Sequence, residues 1–106
     1  MKLILNLITI VCISVSIAAP AFAQDKGADI YKSKCVICHG ADGMGTTPAG
    51  KALKAAAFKD SAIVKAPDSE LIAAVKKGKN KMPPFAGKLT DAQIKTVVAY
   101  IRTLEK

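Results

Sequence analysis

The chain has 106 residues, 16 Lys and Arg against eight Asp and Glu, a formal net charge of +8, and a hydrophobic fraction of 51% with no Trp. That length holds one small domain and excludes a second. The apolar content excludes a disordered chain, and three Cys exclude a scaffold stapled by several disulfides.

Residues 1–23 read as an address rather than as part of the domain. Lys2 is the only charge, Leu3 to Ala19 is nearly all apolar, Pro20 breaks the run, and Ala21-Phe22-Ala23 is a small-x-small cleavage pattern. Cleavage is expected after Ala23, which takes Cys12 away with the signal and leaves the domain at 24–106. The competing reading, a retained membrane anchor, asks for a spanning helix of about 20 residues, and this run is short for one. An exported protein enters an oxidising compartment, where two neighbouring free thiols end up oxidised or occupied. A domain this small, with few aromatics, has a thin core and needs something to fold around.

The spacing predicts three helices. The first runs from Lys26 to Cys35, with Asp25 as its N-cap and Ile30, Tyr31 and Cys35 on one side. The second runs from Ser69 to Lys77, capped by Asp68 and closed by Gly78. The third follows Thr90 and Gln93, which form a capping box. Its Ile94, Val97, Val98, Ile101 and Leu104 make an amphipathic stripe. Gly40 to Gly50 and Gly78 to Lys88 read as loops, and Lys51 to Phe58 as a short helix. No stretch alternates with period two, so the class is all-α.

Cys35-Val36-Ile37-Cys38-His39 is Cys-x-x-Cys-His, the attachment signature of c-type haem. Two intervening residues let both thiols reach the two vinyl groups of one porphyrin, and the adjacent imidazole reaches the iron. His39 is the only histidine. A zinc site needs about four ligands, a thioredoxin-like motif needs a βαβ context, and a disulfide across two residues is strained. None fits as well as haem.

The iron then needs a sixth ligand or an open site. A second imidazole does not exist, and two methionines follow the signal. Met44 lies five residues past His39, beside the proximal ligand. Met82 lies in a Met-Pro-Pro turn between helices, far enough along the chain to wrap the porphyrin edge. Met82 is the expected ligand. A thioether raises the reduction potential relative to a second imidazole, and two filled axial positions leave one-electron transfer as the chemistry.

These residues resemble the class I c-type cytochromes, and most closely the short bacterial monohaem members of the c551/c552 and c6-like kind. The likeness runs from Gly27 to Leu104. Cys35, Cys38 and His39 match the haem motif. Gly27 and Tyr31 match the Gly-x-x-x-aromatic pattern of the first helix, where glycine permits a close crossing with the last. Tyr100 matches the aromatic of that last helix, and Met82-Pro83-Pro84 the distal loop. The resemblance implies a small cytochrome c fold, with three to four helices around one covalent haem c. It also implies that the carbonyl of Pro48 accepts a hydrogen bond from the second ring nitrogen of His39 and fixes the ring. Trp and Arg partners for the propionates are not assignable, because there is no Trp and the one Arg, Arg102, lies in the last helix.

The expected function is that of a soluble, monomeric periplasmic electron carrier, not an enzyme. Its partners are redox proteins with acidic docking surfaces, drawn by Lys32, Lys34, Lys76, Lys77, Lys79, Lys81 and Lys88 around the haem edge. No nucleic-acid reader motif is present, and membrane contact is at most peripheral. The alternatives are an electron-entry subunit of a larger dehydrogenase or oxidase, or a haem enzyme or sensor with an open distal site.

Overall fold

The computed structural model describes residues 21–106. The export segment lies outside the described residues, apart from its last three positions, and Cys12 with it. Six helices follow in order: α1 (Ala21–Lys34), α2 (Val36–His39), α3 (Pro48–Leu53), α4 (Ser61–Lys65), α5 (Asp68–Lys77) and α6 (Asp91–Thr103). Among the described residues there is no strand, only isolated bridges between Lys79 and Met82 and between Ala86 and Leu89. The all-α class therefore holds. The expected count of three to four helices falls short, because α2 and α4, at four and five residues, are too short to show a periodic stripe.

The boundaries differ in instructive ways. α1 starts ahead of Asp25, which lies inside the helix instead of capping it. Ala21, Ala23 and Gln24 are good helix formers, so the helix extends upstream. α5 starts at Asp68, with Pro67 at the cap and no side-chain cap bond. The Asp68 carboxylate is taken instead by Arg102, whose Nε donates to Oδ1 at 2.9 Å. α3 begins three residues before the expected Lys51, because Thr47-Pro48 is a start signal: Thr47 caps by accepting from the Gly50 N–H at 2.9 Å, and Pro48 fills N1. The capping box of α6 forms in full, with Gln93 N–H to Thr90 Oγ1 at 3.1 Å and Thr90 N–H to Gln93 Oε1 at 2.8 Å.

α6 organises the core. Val97 and Ile101, one turn apart, pack with Tyr31, Cys35 and Phe58 in one buried cluster. Ile94 and Val98, the neighbouring i, i+4 pair, pack with Val75 and Phe85 in a second. The stripe thus serves α1 on one side and α5 with the Pro-rich loop on the other.

The α1–α6 crossing is close because Gly27 lies in it. A Cβ there would meet the Thr96 carbonyl oxygen at 2.8 Å and Tyr100 Cβ at 2.9 Å. The Tyr31 and Tyr100 rings pack beside this contact with centroids 5.2 Å apart. Gly27→Val should therefore lower stability by about 1–3 kcal/mol through overpacking. The expected result is a lower urea midpoint with an unchanged m-value.

Candidate functional site

α1 runs into α2 with one turn residue, Cys35, between them. The ladder barely breaks: the Cys35 N–H donates to the Tyr31 carbonyl at 2.9 Å, and the His39 N–H to the Cys35 carbonyl at 3.0 Å. This places Cys35, Cys38 and His39 on one short helical stretch beside a cavity of about 340 Å³. That volume lies in the range of small-molecule sites, about 300–1,000 Å³. All three residues line it, and so does Met82. Both thiols are free. The rest of the lining is mainly apolar, with Phe58, Ile63, Leu71, Val75, Phe85 and Ile101 in the walls.

The imidazole is held on two sides. Its Nδ1 lies 3.0 Å from the carbonyl oxygen of Ala56. A carbonyl only accepts, so Nδ1 carries the proton and Nε2 keeps its lone pair. The ring also stacks on Phe58, with centroids 4.6 Å apart and planes 24° apart. Burial pushes the imidazole below its ordinary pKa, and the Ala56 bond opposes this. Burial likewise pushes the Cys35 thiol up to about 11, with Cys38 adding to the effect.

The role expected of the Pro48 carbonyl therefore belongs to Ala56. Pro48 is exposed at N1 of α3, where its carbonyl points along the helix with the other helical carbonyls. Beyond α3, Lys54 adopts a left-handed conformation (φ 56°) that turns the chain back. The next residues bring Ala56 to the histidine and Phe58 to its face. Thr47 pins this loop to the haem-motif helix, since its hydroxyl donates to the carbonyls of Ile37 at 2.7 Å and Cys38 at 3.1 Å.

Met82 comes from a separate loop, and this loop is rigid. Gly78 ends α5 with φ 75°, and a Cβ there would lie 2.7 Å from the Met82 carbonyl oxygen and 2.9 Å from Pro84 N. Lys79 and Met82 exchange backbone hydrogen bonds at 3.2 and 2.9 Å across a turn in which Asn80 has φ 54°. Asn80 is thus a turn residue that also lines the cavity. The Phe85 N–H returns to the Val75 carbonyl at 3.0 Å, which laces the loop to α5. Met44 does not line the cavity; its N–H donates to the Asp42 carboxylate at 3.0 Å.

A family model described as "Cytochrome C oxidase, cbb3-type, subunit III" matches residues 22–101. Cytochrome c6 of a Synechococcus species is 35% identical, over 95% of this chain and 91% of that one. Cytochrome c6 of a Nostoc species is 37% identical, over 92% and 86%. Among solved structures, the c-type cytochrome KustC0563 superposes with a TM-score of 0.69 at 34% identity, covering 76% of this chain and 98% of its own. Cytochrome c6 of the diatom Phaeodactylum tricornutum gives 0.59 at 30%, covering 77% and 93%.

The chain belongs to the small class I c-type cytochromes. Within them it is similar to the cytochromes c6, carries haem c covalently, and works in electron transfer. The residues present fit that group: two free thiols, an imidazole with an open Nε2 and a thioether sulfur meet at one apolar cavity.

Three contributors were not read from the sequence, and two of them were not legible there. Ala56 acts through its backbone, and Phe58 is one of several apolar residues in an Ala-rich run. Thr47 did carry a signal, because Thr-Pro is an N-cap followed by N1.

Tyr31 supports the motif from behind. It is buried, and its hydroxyl donates to the Gly40 carbonyl at 2.6 Å. Burial raises its pKa above the ordinary value of 10, and Cys35, Tyr100 and Asp42 add to the rise. The folded protein therefore holds this proton longer than the unfolded chain does. The stability it contributes is whole below pH 10 and is lost as pH climbs beyond. Tyr31→Phe should cost about 1 kcal/mol at neutral pH and flatten the alkaline decline, read from urea unfolding at a series of pH values.

Proposed function

We infer that the protein is a periplasmic carrier of single electrons, in which Cys35 and Cys38 would attach haem and His39 and Met82 would hold its iron. The observation that carries this is the meeting of all four side chains at one cavity, three from the helical motif stretch and Met82 from a separate loop. Bound there, haem supplies a one-electron Fe(III)/Fe(II) couple, which a thioether ligand poises at higher potential.

The chain's own residues do the rest. Ala56 and Phe58 orient the His39 ring, and the raised basicity of a carbonyl-bonded imidazole strengthens it as a ligand. The Gly78–Pro84 turn presents Met82. With His39 and Met82 both holding the iron, no coordination site would be left for a substrate, which supports a carrier over an enzyme.

Docking follows from the rim. Lys34, Lys54, Lys79 and Lys81 line the cavity, and no carboxylate does. Ile37 is 72% exposed and Leu53 43% exposed, and both also line it. An apolar centre with positive charge around it suits a redox partner with an acidic dock. Of the other lysines expected here, Lys76 is occupied by Asp91 at 3.1 Å and Lys88 lies over the Phe85 ring. Lys32 and Lys77 do not line the cavity.

Export is supported by residues 1–23 alone, whose Lys2, apolar run and Ala-Phe-Ala form a cleavable signal. The mature protein is then soluble and monomeric. Among the described residues no helix is long and apolar enough to cross a membrane. A second reading, a haem subunit of a larger oxidase, draws on the description of the matching family model. Stoichiometric co-purification with a membrane complex would favour it over a free carrier.

Two outcomes test the carrier. In Met82→Ala holoprotein the low-spin spectrum should be lost. The ratio of reduced to oxidised protein at fixed ambient potential should fall at least tenfold, ~59 mV for one electron. An unchanged spectrum and potential would remove Met82 as a ligand. Electron exchange with an acidic partner should slow by about an order of magnitude from low to physiological ionic strength. A flat response would remove the lysine dock.

A further inference from the structure

Arg102 is the only arginine in the chain. It follows Ile101, which lines the cavity, yet Arg102 itself does not reach it. Its guanidinium turns to the neighbouring linker. Nε donates to Asp68 Oδ1 at 2.9 Å, Nη1 to the Ile63 carbonyl at 3.0 Å and to Glu105 Oε1 at 2.6 Å, and Nη2 to the Ala66 carbonyl. Three of these four acceptors sit between the middle of α4 and the first residue of α5.

α4 cannot hold itself in place. It has five residues and no side-chain cap, far below the length at which a helix is stable alone. Arg102 donates to the carbonyl of Ile63 within it and to that of Ala66, its C-cap. Yet this segment forms part of the cavity. Ile63 lines it and packs against the Tyr31–Phe58 cluster, and Leu71, in the first turns of α5, lines it too.

Charge is only part of what this contact supplies: Glu105, 14% exposed, pairs with Nη1 at 2.6 Å and anchors the guanidinium to the C-terminal end of α6, not to the linker. Asp68 is 69% exposed, and such pairs contribute little. Two acceptors are neutral carbonyls in different directions. A planar fork reaches them together, and a lysine ammonium acts as a single point.

We propose that Arg102 is a positioning residue for the haem site, holding the Ile63–Leu71 wall against the cavity so that water is kept from the iron and the reduction potential stays high. It acts through Ile63 and Leu71. The apolar shell around a metal sets solvent access and local dielectric, and through them the potential. Admitted water favours the more highly charged ferric iron. The inference rests on the carrier reading.

The test uses Arg102→Leu, Arg102→Lys and Asp68→Asn as purified holoproteins. Each is read by spectroscopic redox titration, by the rate at which the ferric form captures cyanide, and by thermal unfolding. In Arg102→Leu the reduced-to-oxidised ratio at fixed ambient potential should fall about tenfold, ~59 mV, and cyanide capture should accelerate about tenfold. Arg102→Lys should lie between parent and Arg102→Leu. Asp68→Asn should stay within about twofold of parent. Parent-like potential and cyanide rate in Arg102→Leu, whatever its unfolding temperature, would reduce the residue to a structural pin and overturn the proposal. If Arg102→Leu does not accumulate, parent-like values in Arg102→Lys overturn it instead. A parent protein lacking covalent haem is a separate failure, visible before any variant is made, and it sinks the carrier reading and this one together.

Discussion

One helix stands between two apolar clusters, and everything else in the protein is arranged by that fact. Val97 and Ile101 of α6 face Tyr31, Cys35 and Phe58, while Ile94 and Val98 face Val75 and Phe85. Neither cluster is large. The cavity is walled from both, with Phe58 and Ile101 from the first and Val75 and Phe85 from the second. A domain of this size buries too little surface to be secure on such clusters alone. Haem held in that cavity would complete a core shared by both, so that the chain is organised around its cofactor more than around itself.

The two segments that bring the ligands to the cavity are controlled in different ways. The motif side is controlled by hydrogen bonds to carbonyls: Thr47 to Ile37 and Cys38, His39 to Ala56, Tyr31 to Gly40. The Met82 side is controlled by backbone conformation, through Gly78, Asn80 and two prolines. The only two non-glycine residues with positive φ among the described residues are Lys54 and Asn80. Both line the cavity, and both turn the chain at the point where it must come back to the site. Backbone strain collected at a functional site is the usual place to find it.

What could be read in advance followed from how local each signal is. The Cys35-Cys38-His39 motif is contiguous and chemically specific, so it was plain. The α6 stripe and its capping box are periodic and local, and they came out as written. Gly27 was legible only through resemblance to a family whose first helix carries a Gly-x-x-x-aromatic pattern, and its close approach to Thr96 and Tyr100 bears that out. The Ala56 carbonyl was not legible, because any residue could supply it and only the Lys54 turn decides which one does. Pro48 was assigned that role by likeness to other proteins, but here Thr47 turns the proline into the start of a helix. α4 escaped for a related reason: its partner is Arg102, 36–39 residues further on, and no local window contains both.

Because both clusters draw on α6, neither can be completed before that helix docks. A chain synthesised from its amino terminus has the thiols of Cys35 and Cys38 early but has no surface to close over them. α6 is thus the latch, and until it docks the motif stays within reach of whatever joins haem to it.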